Sequence, residues 1–133
     1  MTLQTIVARD CMTRRVVTLS PQTEILQALQ TLIDKDIAGA PVLDESGALV
    51  GMLTEKDCMQ VALNATYHSE YGGIVADFMS SPAVSISPDE GLVDVVKRFL
   101  DVNYHRYPVV ENGQLVGQIS RRDVMRALGH AWH

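Results

Sequence analysis

The chain has 133 residues, 47% of them hydrophobic, and a formal net charge of −5 with acidic and basic residues interspersed. That is enough apolar material for one compact unit or two small coupled ones, and the lack of a basic face argues against a nucleic-acid partner. Cys11 and Cys58 lack Cys-x-x-Cys spacing and read as reduced, buried thiols, while no apolar run approaches ~18 residues and Met1-Thr-Leu-Gln-Thr5 has no signal-peptide pattern, so a cytoplasmic chain without a membrane span is expected.

In chain order, the sequence says most things twice. Asp10-Cys-Met-Thr-Arg-Arg-Val-Val-Thr-Leu-Ser-Pro21 returns as Asp77-Phe-Met-Ser-Ser-Pro-Ala-Val-Ser-Ile-Ser-Pro88. A period of about half the chain is a two-fold internal repeat. Each half reads strand, helix, strand, strand, helix. Val16–Leu19 is a short β-branched run, and Ser20-Pro21 predicts a helix start with Ser as N-cap and Pro at the first helical position. Ser87-Pro88-Asp-Glu90 predicts the same with a capping box. Ile25, Leu26, Leu29, Leu32 and Ile33 form one helical face, and Leu92, Val93, Val96, Phe99 and Leu100 repeat it. Pro41-Val-Leu43, the turn Asp44–Gly47 and a strand from Ala48 to Leu53 follow. The second half has Pro108-Val-Val110, the tighter Glu111-Asn-Gly113 turn and Gln114–Ile119. Asn-Gly is a strong hairpin signal because both residues tolerate positive φ. Helices beginning at Thr54 and Ser120 close the halves, with Met59, Ala62, Leu63, Met125 and Leu128 as apolar faces. Thr66–Gly73 interrupts the pattern as a hinge, from which Tyr67 and Tyr71 are expected to pack on the module or a partner. Neither half covers its own sheet. Stacking the two open faces implies an α/β (α+β) fold of two β-α-β-β-α repeats packed sheet to sheet, with pseudo-two-fold symmetry and a cleft between them.

Gly51-Met-Leu-Thr54-Glu-Lys-Asp57, in register with Gly117-Gln-Ile-Ser120-Arg-Arg-Asp123, closely resembles the CBS domain, named after cystathionine β-synthase. Together with the aliphatic-Pro-Val strand and the element order, it makes the chain similar to a tandem CBS pair. The first domain would span residues 7–66, the linker 67–73 and the second domain 74–130. The resemblance implies a non-catalytic regulatory module that binds an adenosyl ligand (AMP, ADP, ATP or S-adenosylmethionine) in the cleft. It also implies a homodimer, a flat disc of two pairs.

At Gly-x-x-Thr/Ser-x-x-Asp, the hydroxyl and carboxylate flank the first turn of a helix, where free amides favour oxygen anions. Asp57 and Asp123 could each accept from both hydroxyls of a ribose. Thr54 and Ser120 also make ordinary capping boxes with them. The glycine would let a ligand ring approach the strand. An adenine slot would draw on Val17, Thr18, Ala40, Pro41 and Met52, with counterparts Val84, Ser85, Tyr107, Pro108 and Gln118, all of which could merely pack the sheets. Tyr107 could stack on adenine or block the second site. The resemblance assigns phosphate contacts to His105, Arg106 and Arg122. The first half offers only Ala38-Gly39 and Lys56 there, so a tighter site is expected in the second half.

No nucleophile elbow or P-loop appears, and no metal site is expected from His68, His105, His130 and His133. The regulated target would be an unknown effector protein. The alternative is a purely structural dimerisation or docking module with a vestigial cleft.

Overall fold

A computed structural model describes residues 2–70, 72–81, 84–102 and 104–132; Tyr71 and His133 lie outside them. The fold mixes helices with two small antiparallel sheets. Two compact units share the chain: a terminal unit of Met1–Val16 with Val84–His133, and a central unit of Val17–Ala83.

Each unit is built on a hairpin. In the central unit β1 (Gly39–Leu43) pairs with β2 (Leu49–Thr54), and in the terminal unit β3 (Arg106–Glu111) pairs with β4 (Gln114–Ser120). Asn112 and Gly113 take φ of 52° and 79°, the left-handed pair that a two-residue type I′ turn requires. The longer first turn is closed by Asp44, whose Oδ1 accepts from the Ser46 hydroxyl at 2.7 Å and from Ala48 N at 3.0 Å. Those bonds, the Ser46 hydroxyl foremost, hold its carboxyl below the usual range.

Val16–Leu19 does not form the expected strand. Only Leu19 bridges, parallel to Val42, as Ile86 bridges Val109 in the terminal unit. On the other side of each hairpin a second bridge runs antiparallel. Thr13 exchanges both backbone bonds with Gln118 (2.8 and 2.9 Å), and Ser80 does so with Met52 (2.9 and 3.0 Å). The segment that opens each repeat in sequence therefore completes the hairpin of the other repeat. Accordingly Ile6 and Ala8 are buried with Tyr107, Val109 and Ile119, and Val75 with Leu19, Val42 and Leu53. The Arg9 guanidinium fastens the N-terminal segment to the end of β3 by a 2.6 Å bond to Glu111, which lowers the Glu111 pKa and raises that of Arg9.

The helix starts need correction. Helix α2 spans Ile25–Asp34 and α5 spans Leu92–Asp101, one turn later than Ser20-Pro21 and Ser87-Pro88 predict. Both Ser-Pro pairs make β-turns instead, with Thr23 N on Ser20 O and Glu90 N on Ser87 O, each at 3.1 Å. The fixed φ of proline suits the second position of such a turn as well as the first position of a helix. The turn carbonyls have other claimants. Pro21 O and Thr23 O accept from Ala76 and Val75, and Pro88 O and Glu90 O from Arg9 and Ala8. Those amides open two one-turn helices that the sequence pattern hides, α1 (Ala8–Cys11) and α4 (Val75–Phe78). Glu90 pairs with Arg98 at 2.8 Å rather than capping a helix, and the α2 cap is Glu24, accepting from Leu26 N and Gln27 N.

Helices α3 (Glu55–Tyr67) and α6 (Arg121–Ala131) begin as expected, with Thr54 and Ser120 as N-caps in full capping boxes. The helical faces are rotated from the expected ones. Ile25, Ala28 and Leu32 are buried on α2 and Leu92 and Val95 on α5, while Leu26, Ile33, Val93 and Leu100 are exposed. Met59, Leu63 and Met125 are exposed too, and Tyr67 ends α3 pointing outward at 74% exposure rather than packing on its own unit.

The motif glycines also serve a different purpose from the expected one. A Cβ on Gly117 would stand 2.7 Å from Met12 Sδ and 2.9 Å from Thr13 O, and one on Gly51 would stand 2.7 Å from Met79 Sδ and 2.8 Å from Ser80 O. They admit the bridging segment, not a ligand ring. Gly117→Ala should therefore cost about 1–3 kcal/mol of stability by overpacking, read as a lower melting temperature. Gly129→Ala, on α6 with no described residue within 4 Å of the new methyl, should leave it unchanged or raise it.

Candidate functional site

Strand register sorts the predicted residues onto faces. In the terminal unit Pro108 lies opposite Gln118 and Arg106 opposite Ser120, whereas Tyr107 lies opposite Ile119 and Val109 opposite Gly117. Side chains alternate along a strand, so Arg106, Pro108, Gln118 and Ser120 share one face and Tyr107 takes the other. In the central unit Gly39, Pro41, Met52 and Thr54 share the corresponding face, and Ala40, Val42 and Leu53 turn to the core. Ser85 and Thr18 precede the core-facing Ile86 and Leu19 by one residue.

Tyr107 therefore neither stacks on a ligand nor plugs the face with its ring. It is 1% exposed, edge-on to Phe99 and Tyr104 with centroids 5.0 and 5.3 Å away. Its hydroxyl donates to Arg98 O at 3.3 Å, and burial raises its pKa. The Ala40 methyl is likewise a core group, so from these two positions only backbone could meet a ligand. Pro41 and Pro108 are fully buried. Val17 is half-buried, and Val84, Thr18, His105 and Arg122 are exposed. Arg122 stands in the first turn of α6, and Lys56 is its exposed counterpart on α3.

The two aspartates sit at the third helical position, each with one oxygen committed to its cap. Asp57 Oδ2 accepts from Thr54 N at 2.9 Å, and Thr54 Oγ1 accepts from Asp57 N at 3.2 Å. Asp123 Oδ2 accepts from Ser120 N at 2.9 Å and from the Ser120 hydroxyl at 3.0 Å. The second oxygen faces the sheet. Asp57 Oδ1 receives the Ser80 hydroxyl at 3.3 Å, and Asp123 Oδ1 the Thr13 hydroxyl at 3.2 Å. Thr13 and Ser80 were missed by sequence reasoning, although they align with each other in the repeat as Asp-x-Met-Thr/Ser. Arg126 was missed too, and it makes the units differ. Its Nη1 donates to Asp123 Oδ1 at 3.1 Å, whereas the residue at its place on α3, Gln60, bonds to Asn64. The Asp123 side chain is 8% exposed.

Burial also raises the Cys11 and Cys58 thiols, the opposite of activation. Among the described residues no cluster of His, Cys, Asp and Glu is arranged to hold a metal, and no helix is long and apolar enough to cross a membrane.

Because Asp123 is buried under four donors, its removal must cost more than that of half-buried Asp57. Without ligand, Asp123→Ala should destabilise by about 2–3 kcal/mol, and Asp57→Ala by about 1 kcal/mol, the value of a cap. Thermal unfolding of the two variants measures the difference.

The sequence profile of the CBS domain matches twice, over residues 8–64 and 75–130. A Bacillus subtilis CBS domain-containing protein, YhcV, is 32% identical over 87% of this chain and 81% of its own length. A Methanocaldococcus jannaschii protein is 30% identical over 93% of this chain, and Arabidopsis thaliana CBSX2 is 26% identical over 82%. The chain spans only 43% and 57% of the lengths of those two. Among solved structures, CBSX2 in complex with AMP superposes with a TM-score of 0.86 at 27% identity, covering 96% of this chain and 98% of that one. A paired profile match over most of the chain, with a fold in common, leaves one conclusion. The chain belongs to the CBS-domain family, as a tandem pair of CBS domains.

Proposed function

We propose that the protein is a non-catalytic regulatory module that binds an adenosyl ligand, namely AMP, ADP, ATP or S-adenosylmethionine, on the sheet faces that carry Asp57 and Asp123. One observation carries this reading. On the terminal unit's face Arg106 lies opposite Ser120, and its Nε is buried without an acceptor among the described residues. An Nε–H lacking such an acceptor beside the N-terminus of α6 suits a phosphate oxygen. The relative solved with AMP supports the ligand class.

The roles then divide by position. Asp57 with Thr54, and Asp123 with Ser120, take the ribose hydroxyls. Val17, Thr18, Ala40, Pro41 and Met52 border the base in the central unit, and Val84, Ser85, Tyr107, Pro108 and Gln118 in the terminal unit, Ala40 and Tyr107 through backbone alone. His105, Arg106 and Arg122 hold phosphate. Gly39 occupies the Arg106 position in the central unit, where a Cβ would stand 2.9 Å from Leu53 O. A phosphorylated ligand is therefore held more tightly in the terminal unit. Arg106→Ala should weaken AMP binding about ten- to a hundredfold, the worth of a charge-assisted contact, while adenosine binding is unchanged. Calorimetry with both ligands checks this; equal losses would remove phosphate from the role of Arg106.

We further propose a cytoplasmic homodimer that passes the ligand signal to an effector protein. Its support is the apolar surface left on the helices. Leu63, Met59 and Tyr67 on α3 are 48%, 69% and 74% exposed. A groove of about 530 Å³ opens between α5 and α6, lined by Phe99, Leu100, Val124 and Met125. Exposed apolar side chains grouped on one helix and along a groove suit association. Sedimentation equilibrium at tens of micromolar should show the dimer with and without AMP. A monomer under both conditions would reject it, and a dimer that binds no nucleotide would favour a docking role.

A further inference from the structure

The side-chain carbonyl of Gln118 is buried and accepts no hydrogen bond from any described residue. It stands on the ligand face of β4, opposite Pro108 and beside the Thr13 bridge. A buried acceptor without a donor is a standing penalty, removed by a ligand that brings an N–H. An adenosyl ligand offers few donors. Its ribose hydroxyls are matched to the carboxylate of Asp123, and the ring nitrogens of adenine only accept. What remains on the nucleoside that all these ligands share is the exocyclic amino group.

We propose that Gln118 is the base-selecting residue of the terminal unit, its carbonyl accepting from the 6-amino group of a purine, so that this unit prefers 6-aminopurine nucleotides to 6-oxopurine ones. The inference rests on the adenosyl reading above and adds the identity of the base. A 6-oxopurine places a carbonyl where the amino group would stand, setting acceptor against acceptor. A site built to pair a polar group discriminates strongly against the analogue that cannot pair it. The central unit has Met52 at the same register, opposite Pro41. A thioether is only a weak acceptor, so that unit reads the base by shape and is indifferent to the substituent at position 6.

Calorimetric titration of the full chain with AMP and with IMP tests the proposal. The wild-type protein should bind AMP at least tenfold more tightly than IMP. Gln118→Met should reduce that preference about three- to tenfold, the worth of one neutral hydrogen bond, chiefly by weakening AMP. Its melting temperature without ligand should be unchanged or higher, because the orphaned carbonyl is gone. Gln118→Leu serves as a second variant should the methionine fail to fold. An undiminished preference in both Gln118 variants, or equal wild-type affinity for AMP and IMP, would overturn the proposal and leave the adenosyl reading standing. Absence of AMP binding by the wild-type protein would overturn both.

Discussion

Two antiparallel bridges, Thr13 on Gln118 and Ser80 on Met52, hold the rest of the structure in place. Each brings in a segment from the other end of the repeat pattern, and each requires a glycine beside it. Only at Gly117 and Gly51 can the sulfur of Met12 or Met79 and a backbone carbonyl come within about 3 Å of the missing side chain. From that approach follow the covered outer edges of β2 and β4, which as free edges would invite non-native pairing. The hydroxyls of Thr13 and Ser80 are delivered to the aspartates by the same bridges. Exchange of segments also means that neither repeat is complete as a stretch of sequence. Residues 7–66 without residues 74–81 would lack Val75 in the core and Ser80 on the sheet.

The sequence showed its architecture where it repeated itself. The two hairpins, the Asn112-Gly113 turn and the caps at Thr54 and Ser120 were all legible, because each has a local chemical signature present in both copies. The starts of α2 and α5 were not, because Ser-Pro followed by polar residues satisfies a β-turn and a helix N-terminus equally. What decided between them is long-range: the carbonyls of Pro21, Thr23, Pro88 and Glu90 are needed by the amides of α4 and α1. Helices of one turn leave no periodicity to find. The helical faces were misjudged for a related reason. Leu26, Ile33, Val93 and Leu100 extend the apolar stripe beyond what one sheet can cover, and the sequence does not say which edge of a wide stripe faces inward.

The candidate site was legible in its residue types and not in its sidedness. Spacing alone placed Asp57 and Asp123 at the third position of helices. That Tyr107 and Ala40 turn to the core while Arg106 and Pro41 turn away depends on strand register, where a slip of one residue reverses every side chain. The hydroxyl partners were beyond local reading, since Thr13 meets an aspartate 110 residues away. Arg126 is near in sequence to Asp123, yet the same spacing in the other half carries Gln60, so the repeat gave no reason to expect it.

Under the proposed binding, each aspartate would exchange a protein contact for a ligand hydroxyl at small cost. One oxygen of each carboxylate stays with the helix cap, and the other receives the hydroxyl of Ser80 or Thr13. A ribose hydroxyl is the same chemical donor. Replacing one by the other leaves the carboxylate equally satisfied and adds no unpaired charge, so the desolvation penalty that usually opposes burying an anion has already been met by the fold. The two units then differ in what must be displaced. At Asp57 it is one hydroxyl at 3.3 Å. At Asp123 a guanidinium shares the oxygen, and a charge-assisted bond is the stronger of the two. On the proposed roles, ribose alone would favour the central unit, and a ligand that also brings phosphate to Arg106 would favour the terminal unit.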